Sequence, residues 1–405
     1  MEDFDEVVAQ VRSRLEAAAC SCALVTEDGG VEYVAADGEG SAEILGVRLP
    51  AGRGLAGWAA TSGQALGVRD VRADPRFARD VAESTGYVPD DLLVAPFFAS
   101  DGAVRGVLTV LDPDRDVSSV LPLRDLEIAA GHLTDPDLPA WSTEFEAGRL
   151  GTVRGLPIPD VRAWALDGAT GAGVRVAVVD SGVDADHPRV GGVAGAVAFE
   201  PDDEAPYGFR TIEGPHEDLV GHGTACAAII RSLAPDAEIV SVRVLGSNLK
   251  GRGSILRAGI AWAVEHDIDV ANLSLSSRSA TMFGPLHEVA DAAFFAGTVL
   301  VSAVNNLPGP SYPSQYSSVL SVASGPVAGP DQLLANPRPP AEFGAYGVDV
   351  DVAWLDHGST VATGNSFAAP HVAGLAALVR SKHPHLTPYE VKAVLQALSA
   401  NATDG

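Results

Sequence analysis

Three side chains of this protein have the types that nucleophilic hydrolysis needs, each set among small residues. Asp180 closes VRVAVVD, His222 sits in VGHGTACAAII, and Ser366 opens the last long apolar stretch in GNSFAAPHVAGLAALV. A serine hydroxyl is a poor nucleophile until an imidazole removes its proton, and the imidazole needs a carboxylate to fix its tautomer and stabilise its cation. Taken singly, each residue has a blander reading: a turn aspartate, a loop histidine between glycines, a helix-capping serine. Taken together they follow the chain order Asp, His, Ser, one of the orders in which such triads occur. Gly221 and Gly223 are expected to let the backbone turn about His222, and Gly364 to let it swing into the helix at Ser366. At a helix N-terminus, unpaired N–H groups and the dipole favour developing negative charge.

Elements must hold these residues. From 172 onward, short β-branched runs (VRVAVVD, AEIVSVRVL, DVANLSL, TVLVSAV, VLSVAS) alternate with helical segments, the pattern of an α/β fold whose mostly parallel sheet is covered on both faces. Reactive residues in such folds gather at the carboxyl ends of strands, where Asp180 lies. The first part reads differently. Residues 4 to 19 carry apolar side chains at helical spacing, strands flank Asp28-Gly29-Gly30 and again Asp101-Gly102, and LRDLEIAAGHL is helical, so an α+β domain with an antiparallel sheet is expected. Between them, LTDPDLPAWSTEFEAGRLGTVRGLPIPD reads as a linker. The expected division is 1–133, a linker over 134–155, and 156–405.

Composition narrows the partners. The 405 residues carry a net charge of −26, which opposes binding to nucleic acid or anionic membranes. No run reaches the roughly 20 apolar residues of a membrane span. The first residues, MEDFDEVVAQ, are acidic and amphipathic, unlike a secretory leader, and the expected location is the cytoplasm. Cys20, Cys22 and Cys226 make no disulfide framework. Cys20 and Cys22 share a strand face, as a redox pair or as core packing.

Residues 52 to 87, GRGLAGWAATSGQALGVRDVRADPRFARDVAESTGY, resemble a GAF domain in their Gly-rich entry, Thr-Gly-Gln-type turn and Asp-Pro-Arg-Phe opening of the next helix. The resemblance extends over about 4–133 and implies a sensor domain with a small-molecule pocket or a dimerising flank, so an unknown effector and a homodimer both stand open. It does not identify the ligand. The cyclic-nucleotide motif is missing, and His132 reads as a solvent-facing helical residue sooner than as a haem ligand.

VAVVDSGVDADHP, GHGTACA and GNSFAAPHVAG resemble the three signature blocks of subtilisin-like serine proteases, over about 157–400. The resemblance implies an endopeptidase using Asp180, His222 and Ser366 on protein or peptide substrates, with no cofactor for catalysis. It assigns the oxyanion donor to Asn306, with Asn305 the alternative; Asn305 would then stand at a glycine position that a left-handed backbone suits. Substrate would lie along Gly251, Arg252 and Gly253 and along Ser274, Leu275 and Ser276. Ser276, Ser277 and Ser311, where relatives often have glycines, are expected to narrow the primary pocket. Asn365 replaces the usual threonine. Arg189 replaces the aspartate of the family's early calcium site, so no metal is expected there. Cys226, like the cysteine of proteinase-K-like and kexin-like members, reads as a buried packing residue. The acidic insertion holding Glu200, Asp202, Asp203, Glu204, Glu213 and Glu217 would steer basic substrates or merely face solvent. Two functions follow: a peptidase gated by its amino-terminal domain, or a catalytically weak peptide-binding module in signalling.

Overall fold

A computed structural model describes residues 4–118, 120–135, 143–145 and 150–403. Much of the expected linker, at 136–142 and 146–149, lies outside the described residues. Strand Arg175–Asp180 shows why the carboxy-terminal half folds as it does. Val176 and Val178 enter one core with helices His222–Leu233 and Asn365–Lys382, while Ala177 and Val179 enter another with helices Gly253–Glu265 and Phe283–Ala296. Alternate side chains of a strand point to opposite faces, so a strand covered on both sides must be apolar throughout. Among the described residues the sheet has nine strands, with Arg175–Asp180 between Glu238–Arg243 and Val270–Leu273. Its seven central strands pair in parallel, and only the outermost strands, Phe209–Glu213 and Leu334–Ala335, run antiparallel.

The amino-terminal half is the antiparallel α+β unit that the two hairpin signals imply. Strands Ala19–Val25 and Val31–Gly38 form one hairpin, and Leu92–Phe98 and Val104–Leu111 the other. Helix Phe4–Leu15 buries Val8, Val11 and Leu15 against the sheet beside helix Val120–Leu133. Val153 and Arg154, at the end of the expected linker, pair in parallel with Ala402 and Thr403 and so belong structurally to the second half.

The two halves share one sheet, which the sequence did not suggest. The hairpin formed by Val350–Ala353 and Ser359–Thr363 extends the amino-terminal sheet, with Ala362 opposite Leu66 and Thr363 opposite Ala65. The Thr360 hydroxyl donates to the Gly67 carbonyl across the seam. A single apolar cluster holds Trp58, Val68 and Val94 from one half and Ala225, Ile229, Trp354 and Phe367 from the other. Arg76, paired with Asp74 out of water, lies over Trp58 at 4.6 Å and Trp354 at 5.4 Å. Cation–π contact of this kind is worth up to about 2 kcal/mol when desolvated.

The seam also carries a carboxylate pair. Burial pushes the Glu127 carboxyl up to about 8, the neighbouring Asp349 charge adds to this, and the Thr363 hydroxyl and Arg124 pull the other way. Burial likewise raises Asp349. The folded state therefore binds a proton that the unfolded chain gives up in the ordinary carboxylate range. Stability from this pair is complete below that range and is lost as pH rises through about 8. Melting temperature is expected to fall between about pH 6 and 9, and Glu127→Gln to flatten that fall; thermal melts across the range are the check.

Candidate functional site

Asp180 is fully buried at its strand's carboxyl end. Its Oδ1 and Oδ2 lie 2.8 and 3.0 Å from His222 Nδ1, and its Oδ1 also accepts from Ser181 N at 2.7 Å. The carboxylate thus holds the proton on Nδ1 and leaves Nε2 as the base. Gly221 has φ 95°, as the turn before His222 requires. Gly223 serves close approach instead, since a Cβ there would lie 1.9 Å from the Gly182 carbonyl oxygen. Burial pushes the His222 imidazole down, but the charge and hydrogen bond of Asp180, with Asp218 behind, outweigh it and hold the ring above its ordinary value.

Asp218 is a residue that sequence reasoning missed. Its carboxylate accepts from Gly221 N at 2.9 Å, Thr224 N at 2.8 Å, the Thr224 hydroxyl at 2.6 Å and the Ser181 hydroxyl at 2.8 Å. It satisfies free N–H groups at the start of the His222 helix, as a capping carboxylate does. The cue was an aspartate just ahead of a helix start.

Ser366 lies in the first turn of helix Asn365–Lys382 and is buried. Pro370, four residues on, has no N–H to give the Ser366 carbonyl. The Ser274 hydroxyl supplies the missing donor at 2.7 Å, and Cys226 Sγ approaches both Ser274 Oγ, at 3.2 Å, and that carbonyl, at 3.8 Å. Ser274, expected along the substrate, has its hydroxyl buried as a brace of the Ser366 backbone. Asp180, His222 and Cys226 bring three possible metal donors within 4.8 Å of one another. Burial pushes the Cys226 thiol well up, with the Asp180 charge adding to it, so it packs as a neutral thiol and not as the thiolate a metal would need. Gly364 does not act as the sequence suggested. Its φ of 163° is extended backbone, but a Cβ would meet Gln64 Nε2 at 2.7 Å.

The two adjacent asparagines separate cleanly. Asn306 Oδ1 accepts from Asn365 N at 2.9 Å, next to Ser366 in the chain. Asn305 uses its Oδ1 on Leu307 N at 2.9 Å and its Nδ2 on Ser276 Oγ at 3.3 Å. The left-handed backbone expected at Asn305 is not found there: neither asparagine has positive φ. Asn365, in place of threonine, bridges Ser324 N at 2.9 Å and the Val304 carbonyl at 3.1 Å, fixing the loops on either side.

Residues of the amino-terminal half enter this site. Gln64 Nε2 donates to Ser366 Oγ at 2.5 Å, and Asn306 Nδ2 donates to the Ser62 carbonyl at 3.1 Å. Among the described residues no hydrogen bond joins His222 Nε2 to Ser366 Oγ. Nothing in GQALGV announced such a contact, because it spans 302 residues of chain.

The other expected substrate contacts fall at the rim and in the support beneath it. Arg252 precedes helix Gly253–Glu265 and pairs with Asp203 at 2.7 Å, while a Cβ on Gly253 would collide with Met282. A Cβ on Gly251 would meet the Val244 carbonyl oxygen at 2.8 Å, and Leu275 is partly buried. Ser277 pairs through its backbone with Tyr312. Ser311 is buried, accepting from Asn305 N at 2.9 Å. In the acidic insertion Glu200 pairs with Arg210 and Arg243, each at 2.7 Å. The Arg189 guanidinium pairs with Asp351 at 3.2 Å and donates to its carbonyl at 2.9 Å.

A separate pocket, open to solvent at its mouth, lies in the amino-terminal half among Tyr33, Asp37, Glu39, Leu55, Phe77 and Tyr87. Cys20 lines it, and burial pushes that thiol up, with the Cys22 and Asp37 charges adding to the effect. Cys20 and Cys22 are buried and form no disulfide, and His132 is exposed. Among the described residues no helix is long and apolar enough to cross a membrane.

Comparison with known proteins agrees with this geometry. A GAF domain model matches residues 2–130, and the model described as the subtilase family, peptidase S8, matches 171–404. A thermostable alkaline protease of Halalkalibacterium halodurans is 33% identical over 58% of this chain and 64% of its own length, and subtilisin of Bacillus pumilus is 34% identical over 59% and 89%. The chain thus spans 64% of the length of several curated relatives it matches. A solved cold adapted subtilisin-like serine proteinase is 26% identical over 62% of this chain and 91% of its own, with TM-score 0.46. With its matched segment covering more than half of the residues, and a GAF domain ahead of it, this chain belongs to the subtilase family.

Proposed function

We propose that this chain is a serine endopeptidase in which Ser366 attacks the peptide carbonyl, His222 takes and returns the proton, Asp180 orients His222, and Asn306 stabilises the oxyanion. The observation that carries the reading is the buried Asp180 carboxylate on His222 Nδ1, next to a serine in the first turn of a helix. That arrangement has no structural need of its own, and burial alone would push the imidazole down. The units are 1–133, a sensor, and the peptidase, whose expected start at 156 moves back to take in Val153 and Arg154, so that the linker runs from 134 to just before them. The three cysteines, none in a disulfide, suit a cytoplasmic setting.

The amino-terminal cavity is the place for a small-molecule effector. Its wall includes the first turn of helix Gly54–Ser62, whose other end delivers Ser62 to Asn306. Exposed Leu121 and Ile128, one above the other on helix Val120–Leu133, offer an apolar stripe for homodimerisation. The net charge of −26 disfavours nucleic acid and anionic membrane as partners.

A fluorophosphonate probe tests the reading: labelling that disappears in Ser366→Ala supports it. Absence of labelling under every condition, cell extract included as a source of effector, favours the peptide-binding module instead. Side chains added at Ser276, Ser277 and Ser311 narrow the primary pocket, so peptides with small or medium apolar residues before the cut are expected to be cleaved faster than those with phenylalanine. Equal kcat/KM for the two would contradict this.

A further inference from the structure

We infer that the amino-terminal domain is a built-in inhibitor of the peptidase site, and that Ser62, Gly63 and Gln64 are its plug. The inference rests on the reading of Ser366 as a peptidase nucleophile and adds how that nucleophile is kept silent. Two groups that catalysis would use are already engaged. The side-chain amide that should receive the developing oxyanion, Asn306 Nδ2, is spent on the resting carbonyl of Ser62 at 3.1 Å. The lone pair with which Ser366 would attack accepts a hydrogen bond from Gln64 at 2.5 Å.

The plug is seated closely. Gly63, at φ 67°, turns the chain out of helix Gly54–Ser62, and a Cβ there would lie 2.8 Å from Leu307 Cδ2, so only glycine fits the turn and the gap together. Gly364 leaves room for the Gln64 side chain in the same way. Immediately beyond the plug, strand Ala65–Val68 occupies the edge of Ser359–Thr363, the strand that leads into Ser366. An extended peptide seeking that edge finds its hydrogen bonds taken. Ser366 and His222 are only 5% and 3% exposed, so no path remains for a second polypeptide while the domain is in place. The Trp58, Arg76 and Trp354 stack and the common apolar cluster hold the plug down.

The test is the rate of fluorophosphonate labelling of the full chain. Gln64→Ala is expected to label about tenfold faster than the unaltered protein, the weight of one buried hydrogen bond. Ala65→Cys with Thr363→Cys places a disulfide across the seam at directly opposed positions. Oxidised, that protein is expected to label more slowly than the unaltered chain, and reductant to restore the rate. If the crosslinked protein labels as fast oxidised as reduced, the plug is overturned while the peptidase reading stands. If no variant labels in any state, the peptidase reading falls and the plug with it.

Discussion

Ser366→Ala is expected to lower turnover of a peptide substrate by on the order of 10⁶, and Asp180→Asn by about 10⁴, the magnitudes that these roles carry in serine-protease triads. The first removes the attacking oxygen. The second leaves the shape intact but takes away the charge that accepts from His222 Nδ1 at 2.8 Å. An amide in that place can offer N–H to the ring, and His222 then settles in the tautomer whose Nε2 carries the proton and cannot act as a base. Both losses should fall on kcat with KM little changed, since neither side chain has to touch the ground-state substrate. The kinetics are best read in the Gln64→Ala background, where labelling of Ser366 is expected to be about tenfold faster. A loss below about a hundredfold for Ser366→Ala would mean that the hydrolysis measured is not done by this residue.

Asn306→Gly is expected to lower kcat by about 10² to 10³, the cost of removing one oxyanion-hole donor in subtilisin. Asn365 N holds Asn306 Oδ1 at 2.9 Å, which commits Nδ2 to the side where a carbonyl oxygen already sits. A donor fixed in advance costs nothing to reorganise when charge develops. Asn305→Gly should have a far smaller effect, because its amide is engaged with Leu307 N and Ser276 Oγ. The opposite order of effects, measured as kcat on one peptide, would transfer the role to Asn305.

Much of this was legible in the residues. Asp180, His222 and Ser366 stand in local blocks whose strand or helix signals are strong, and the unbroken apolar run within Arg175–Asp180 dictates a strand covered on both faces. Tertiary detail was less legible. Ser274 looked like a substrate contact because its sequence neighbours do, whereas its role is set by Pro370, nearly a hundred positions away. Gly364 looked like a backbone hinge because glycine often is one; its reason is a neighbouring side chain from another domain. The seam was invisible for the same cause. Hairpin Val350–Ala353 with Ser359–Thr363 reads as an ordinary pair of strands, and nothing local says which sheet it will join.

The shared sheet bears on how the protein is born. Thr360 and its seam partner Gly67 are 293 residues apart, on the order of tens of seconds of synthesis at usual rates. All the strands of the first domain leave the ribosome before the one that completes their sheet, and meanwhile Ala65–Val68 waits as an unpaired edge, the kind that invites aggregation. Ser359–Thr363 ends three residues ahead of Ser366. The strand that relieves the waiting edge is therefore the one that leads into Ser366, so the last stretch of chain needed to complete the proposed site is also the stretch that closes the shared sheet.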